Sequence, residues 1–218
     1  MNVPKKTKLS ESKQFKYTDV LLLVEFKFLM TILLSVFAFT RYAMMPDRIH
    51  ELCLYAMLFS TMGDLCMMNY KGIPAVTFKG KQFYSGMLFF AFAHIFYRQM
   101  FKTALVASVF VAIGEVIGLV FLFAFFVIID LCNLRKSSPI FNISTVLYTC
   151  VIFSNLAAAI NCAYYLNGKY ILTLIGVVSF IISDFFLLIR ETKQNTAIIR
   201  KMIWIFYPLA QILIIANV

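Results

Sequence analysis

Long apolar stretches, each close to the length of a bilayer crossing, alternate along the 218-residue chain with short segments that gather its basic residues. About 20 apolar residues carry a helix across hydrocarbon. On that ruler the pattern predicts spans near 20–40, 49–69, 83–101, 104–130, 141–163, 169–190 and 197–217. The runs are too long and unbroken for the alternating strands of a membrane barrel. In lipid each backbone N–H and C=O has to be satisfied within its own segment, so helices are the default. The expectation is an all-α polytopic integral membrane protein with seven transmembrane helices. The fourth run is long for one helix. Gly114 and Gly118 offer a place to break it, which would make eight.

Composition agrees. Hydrophobic residues make up 62% of the chain and charged residues 14%, where a soluble domain carries roughly a quarter charged. The net charge of +10 would suggest nucleic acid in a soluble protein. Here the cations lie between apolar runs, which points to anionic lipid headgroups and to topology, with no nucleic-acid partner. With seven spans, fourteen Lys and Arg fall on the side of the N-terminus and five on the other, Lys27 standing inside the first span. That bias predicts a cytoplasmic N-terminus and an outer C-terminus, with the plasma membrane as the default location. Residues 1–19 read as a basic cytoplasmic arm leading to an uncleaved anchor, and 20–218 as one transmembrane helical domain. The Asn142 sequon would then be cytoplasmic and unused. The five cysteines show no metal-binding spacing and read as packing residues. Only two histidines, His50 and His94, are present, so no metal and no cofactor is expected.

Ionisable groups inside spans are expensive and mark candidate sites. Glu25 and Lys27 fall in the first predicted span, Asp64 in the second, His94 in the third, Glu115 in the fourth and Asp184 in the sixth. Counting the helical rise from the span ends puts Lys27, Asp64 and Asp184 at similar depths near the cytoplasmic side. His94, Tyr97, Tyr207 and Gln211 lie somewhat deeper, so five helices are expected to contribute polar groups to one cavity. Phe83, Gly86, Phe90, His94 and Tyr97 are spaced 3, 4, 4 and 3 apart, which puts them on one helical face. Ser60 and Asp64, and Tyr207 and Gln211, are each four apart and share faces. Two carboxylates among hydrogen-bond donors suit general acid–base chemistry, one as acid and the other orienting water. Asp64 and Lys27 can equally form a buried ion pair that holds helices together. His94 can be an interhelical hydrogen-bonding residue, and Glu115 stands alone.

These residues resemble the motifs of the YhhN-like family of membrane proteins, which includes the animal lysoplasmalogenases. Lys27 stands where the family has its lysine. Ser60 to Asp64 resembles S-x-x-G-D, and Phe83 to Tyr97 reproduces F-x-x-G-x-x-x-F-x-x-x-H-x-x-Y. Gly176 to Ser183-Asp184 resembles G-A-x-x-F-x-x-S-D, and Tyr207 to Gln211 resembles Y-x-x-A-Q. The ordered set covers nearly the whole chain.

The resemblance implies hydrolysis of the vinyl ether bond of a lysophospholipid, lysoplasmalogen, to a fatty aldehyde and a glycerophospho-headgroup. It implies Asp64 and Asp184 as the acid–base pair, in either order. Lys27, Ser60, His94, Tyr97, Ser183, Tyr207 and Gln211 would bind water or substrate. A small transporter, or a lipid-binding membrane protein without catalysis, is the alternative.

Overall fold

The computed structural model describes residues 29–67, 82–105, 112–136 and 138–218. The basic arm, Glu25 and Lys27 lie outside the described residues. Among the described residues the fold is all-α, with seven helices: α1 (Leu29–Met44), α2 (Arg48–Met67), α3 (Gln82–Ala104), α4 (Ala112–Leu131), α5 (Pro139–Tyr165), α6 (Ile171–Thr192) and α7 (Ala197–Ala216).

Four of them, α4 to α7, are long and apolar enough to cross a membrane, fewer than the seven spans expected from the sequence. The described part of α1 is apolar but short. Helices α2 and α3 carry Arg48, Glu51, Asp64, Arg98 and Lys102 within their length, which lowers their hydropathy. The fourth predicted span also needs correction. Residues 104 and 105 belong with α3, and the apolar helix begins only at Ala112. Gly114 and Gly118 lie inside that continuous helix and do not divide it.

The helix ends have local causes. The backbone N–H of His50 donates to the Asp47 carboxylate at 2.9 Å, a side-chain cap for the orphan donors of the first turn of α2. Ser138 and Thr196 do the same for α5 and α7, and a proline opens α5 at Pro139, where its missing N–H has no cost. Asn167 and Gly168 take left-handed backbone angles, with φ of 49° and 78°, and turn the chain from α5 into α6. Asn142 is occupied by its neighbours: its amide donates to and accepts from the Lys136 backbone.

Residue pairs across the helices give their directions. Contacts of Gly118 with Ala157 and Phe125 with Phe153 run antiparallel between α4 and α5. Tyr55 with Phe96 and Phe59 with Phe92 do so for α2 and α3, and Phe180 with Tyr207 and Phe186 with Phe206 for α6 and α7. Helices α3 and α5 are parallel: His94 meets Asn155 and Phe101 meets Cys162, each 61 positions apart.

Helix α4 is the peripheral element and packs on α5. Its outward residues, among them Leu119 and Phe123, are exposed. Its two glycines allow backbone approach where no hydrophobic effect drives helices together. A Cβ on Gly118 would lie 2.9 Å from that of Ala157, and one on Gly114 would collide with the Ala157 carbonyl and the Asn161 amide. Asn161 in turn accepts a hydrogen bond from the Gly114 N–H at 2.8 Å, satisfying an orphan donor at the start of α4. We expect Gly114→Leu to cost about 1–3 kcal/mol by overpacking. The check is thermal unfolding in detergent, where a midpoint equal to the parent would contradict this packing.

Candidate active site

Asp64 lies at 17 residues into α2, where that helix meets both α1 and α7. Its Oδ2 accepts a hydrogen bond of 2.8 Å from the Thr31 hydroxyl and one of 2.6 Å from the Tyr207 hydroxyl. Three helices therefore converge on one carboxyl oxygen. Tyr207 is also within 3.5 Å of the Gln211 amide nitrogen, and the Oε1 of Gln211 accepts from the Tyr97 hydroxyl at 2.5 Å. A polar chain thus runs from α3 through α7 to α2. The four-residue spacing of Tyr207 and Gln211 sets the two links one helical turn apart.

Asp184 comes from α6. Its Oδ2 accepts a 3.0 Å hydrogen bond from the Tyr148 hydroxyl of α5. The Nε2 of His94 lies 3.9 Å from the same oxygen, outside hydrogen-bond reach. On the other side of the ring, the Asn155 amide nitrogen is 3.2 Å from Nδ1. The side-chain amide of Asn155 thus anchors one edge of the imidazole while the other edge faces the carboxyl group. The ring is wedged against Phe180 and Tyr148, with centroids 5.1 and 6.0 Å away.

The two carboxyl groups share a cavity. A space of about 130 Å³ is lined by Asp64, Asp184, Ser183 and Tyr207, with Arg190 and Trp204 toward the end of α6 and the start of α7. A second chamber adjoins it and shares Met67, Phe90, Asp184 and Leu187 with it. Apart from Asp184, Thr145, Tyr148 and Thr149, that chamber is walled by apolar side chains such as Met87, Phe125, Phe153 and Ile181. Asp184 is thus at the junction of a polar and an apolar compartment, and Asp64 faces the polar one alone.

The sequence-predicted residues fall into three groups. Asp64, Asp184, Ser183 and Tyr207 line the polar cavity. His94, Tyr97 and Gln211 stand behind it, buried at 1% exposure or less, and act on it through hydrogen bonds or ring contact. Ser60 does neither: its hydroxyl is buried with no hydrogen-bond partner, and it does not line the cavity. Sharing a face with Asp64 was not enough, because one turn earlier in α2 that face is fully buried in packing. Glu115 is exposed on α4 and joins no part of the site. Lys27 lies outside the described residues. Among the described residues no cluster of His, Cys, Asp and Glu has the makings of a metal centre.

Four contributors escaped sequence reasoning as site residues. Thr31 and Tyr148 are single hydroxyls in apolar runs, indistinguishable there from packing residues. Asn155 was visible as a strongly polar residue in a span, but without its partner. Arg190 was counted among the cations that set topology.

With the geometry in hand, the origin of the chain is plain. Residues 23–218 match the YhhN family model, and the chain belongs to the YhhN family. No curated protein and no solved structure matches it.

The buried Tyr97–Gln211 bond should matter to stability. Gln211→Leu leaves a buried tyrosine hydroxyl without its acceptor, at a cost of roughly 1–3 kcal/mol. Combining it with Tyr97→Phe should recover part of that loss, because both partners are then apolar. Unfolding midpoints for the two single variants and the double variant in detergent test the coupling; strict additivity would show that the pair does not interact.

Proposed function

We propose that this protein is an intramembrane hydrolase that cleaves the vinyl ether bond of a single-chain ether phospholipid, lysoplasmalogen, giving a fatty aldehyde and a glycerophospho-headgroup. The observation that carries the reading is the pair of carboxyl groups from α2 and α6 lining one cavity, with an apolar chamber on the Asp184 side only. Family membership supports the same class of chemistry.

The substrate's own polarity orients it in this arrangement. Its hydrocarbon chain matches the apolar lining of the chamber, whose open volume of about 40 Å³ has to widen by side-chain movement to admit it, and its glycerophosphate belongs in the polar cavity, where Arg190 supplies a cation for phosphate. Arg190 is half-buried and bonded to the adjacent Glu191. The vinyl carbon that takes the proton is one atom farther along the chain than the carbon that water attacks. The proton donor therefore belongs on the chain side, which is Asp184, and the water-orienting group on the headgroup side, which is Asp64.

Asp184 gives its proton to that vinyl carbon, and the ether carbon becomes an oxocarbenium ion. Water adds to it while Asp64 takes a water proton. The resulting hemiacetal breaks its bond to the glycerol oxygen, and the hemiacetal hydroxyl proton ends on that oxygen, leaving the aldehyde. Asp64 then returns its proton to Asp184 through the water of the shared cavity. One water is consumed, and neither redox change nor nucleotide is required. Thr31 and Tyr207 hold Asp64 in place by hydrogen bonds, and Tyr148 holds Asp184, with the His94 ring edge nearby.

All seven helices cross the bilayer in this reading, including the more polar α2 and α3. Alternating directions along the chain support it, since the α2–α3, α4–α5 and α6–α7 pairs are antiparallel and the α3–α5 pair is parallel. The basic excess supports a cytoplasmic N-terminus in this reading, with the Arg190 end of the cavity on the same side.

Purified protein should release aldehyde from lysoplasmalogen and none from the acyl-ester or saturated-ether lysolipid of equal length. Asp64→Asn and Asp184→Asn should each lower kcat/KM at least 10²-fold, about the contribution of a positioned acid or base, with an unchanged elution profile in detergent. Parent-level turnover in both variants would refute the acid–base assignment.

A further inference from the structure

The apolar chamber beside Asp184 is walled off from the lipid by very little. On the outer surface of α3 and α5 lies a third space, of about 320 Å³, between Leu88 and Ala91 of the one helix and Leu147 and Val151 of the other. Met87 and Tyr148 line both this groove and the inner chamber. Two side chains thus form the partition. One of them, Tyr148, donates its hydroxyl hydrogen bond to Asp184.

The groove exists because of how its walls run. Helices α3 and α5 are parallel with a fixed offset, so their facing residues stay in step along the whole contact. Farther along, buried His94 and Asn155 fill the seam, and Phe101 and Cys162 close it. Near the start of both helices, Ser85, Ala91 and Ser144 are small, and the seam opens. Leu88 and Leu147 flank it at 52% and 63% exposure. Both flank a surface that the neighbouring α4 leaves uncovered, since α4 packs on α5 through Phe153, Ala157 and Asn161 instead.

We propose that the α3–α5 groove is the lateral entrance through which the hydrocarbon chain of a single-chain lipid passes from the bilayer into the chamber beside Asp184, with Met87 and Tyr148 as its gate. This rests on the hydrolase reading for the identity of the occupant. The occupant follows from continuity. The groove is apolar, opens on the outward surface of α3 and α5, and leads through a two-residue partition to a carboxyl group that, in that reading, acts on a chain-borne bond. Its volume is at the low end of ligand pockets, roughly 300–1,000 Å³, which suits one chain and not two. Methionine is unbranched and flexible, a fitting component for a gate. Swinging Tyr148 aside breaks its bond to Asp184, so the carboxyl group loses a hydroxyl donor at the moment a chain arrives.

The test uses the full-length protein in nanodiscs with a lysophosphatidylcholine that carries a diazirine in its chain. Photolabelling should concentrate on peptides 84–91 and 144–151. It should compete with unlabelled lysolipid and fall at least fivefold in Ala91→Trp and in Leu147→Trp. Leu119→Trp, on the exposed face of α4, should label like the parent. Leu147 is largely exposed, so its variant is expected to fold even if Ala91→Trp does not. In parallel, kcat/KM for a long-chain lysoplasmalogen should drop at least tenfold in the groove variants. Labelling spread evenly over the outward faces, or undiminished in Leu147→Trp, overturns the entrance. Labelling needs no turnover, so groove-specific labelling without any aldehyde release sustains the entrance and overturns the hydrolase reading alone.

Discussion

A carboxyl group among lipid tails has to bring its own hydrogen-bond donors, and the arrangement of this protein follows from that requirement. Asp64 obtains its donors from α1 and α7, and Asp184 obtains one from α5. Neither carboxyl can be satisfied by its own helix, because side chains that point into a cavity point away from their helix's backbone. The helices that supply the donors are thereby fixed against α2 and α6. Small residues at the contacts do the remaining work: a Cβ on Gly63 would press on the Phe90 ring at 2.9 Å, and one on Gly86 on Met67 at 2.6 Å. Packing without hydrophobic drive relies on such close approach, and here it brings α3 against the carboxyl-bearing turn of α2.

The two carboxyl groups are chemically alike and differ in surroundings. Asp64 is ringed by hydroxyls and opens on the polar cavity. Asp184 has a tyrosine hydroxyl, an imidazole edge and an apolar chamber. Division of labour between like residues commonly arises from such differences in setting. In this chain the difference traces to sequence: α6 presents Ile181, Leu187 and Leu188 around Asp184, while α7 presents Tyr207 and Trp204 toward Asp64.

Much of this was legible in the chain itself. Unbroken apolar runs gave the helices, because in lipid the length of the run is the length of the element. Asp64, His94, Asp184 and Gln211 stood out because each is costly where it stands, and they do gather at one place. The face shared by Phe90, His94 and Tyr97 is buried as its spacing implied. What could not be read was pairing. Thr31 and Tyr148 matter only because of what lies opposite, and nothing within α1 or α5 says what that is. Ser60 failed for the complementary reason, since helical periodicity gives direction around an axis but not what is met one turn along it. The boundary between α3 and α4 was lost because residues 104–111 are themselves apolar, and no proline interrupts them. The more polar α2 and α3 fall short in hydropathy because Arg48, Glu51, Arg98 and Lys102 join Asp64 within them.

Parallel neighbours cannot be joined by a short turn, so α3 and α5 need an intervening helix to bring the chain back. That errand falls to α4, which meets α5 along its glycines and Asn161 and meets α6 through Phe125 and Phe185. Beyond that return path it gives the site one side chain, Phe125, in the wall of the chamber. Its outer surface answers to the oil around it and to nothing else. The flank it leaves bare, between the two helices it connects, is where the α3–α5 groove lies open at the surface.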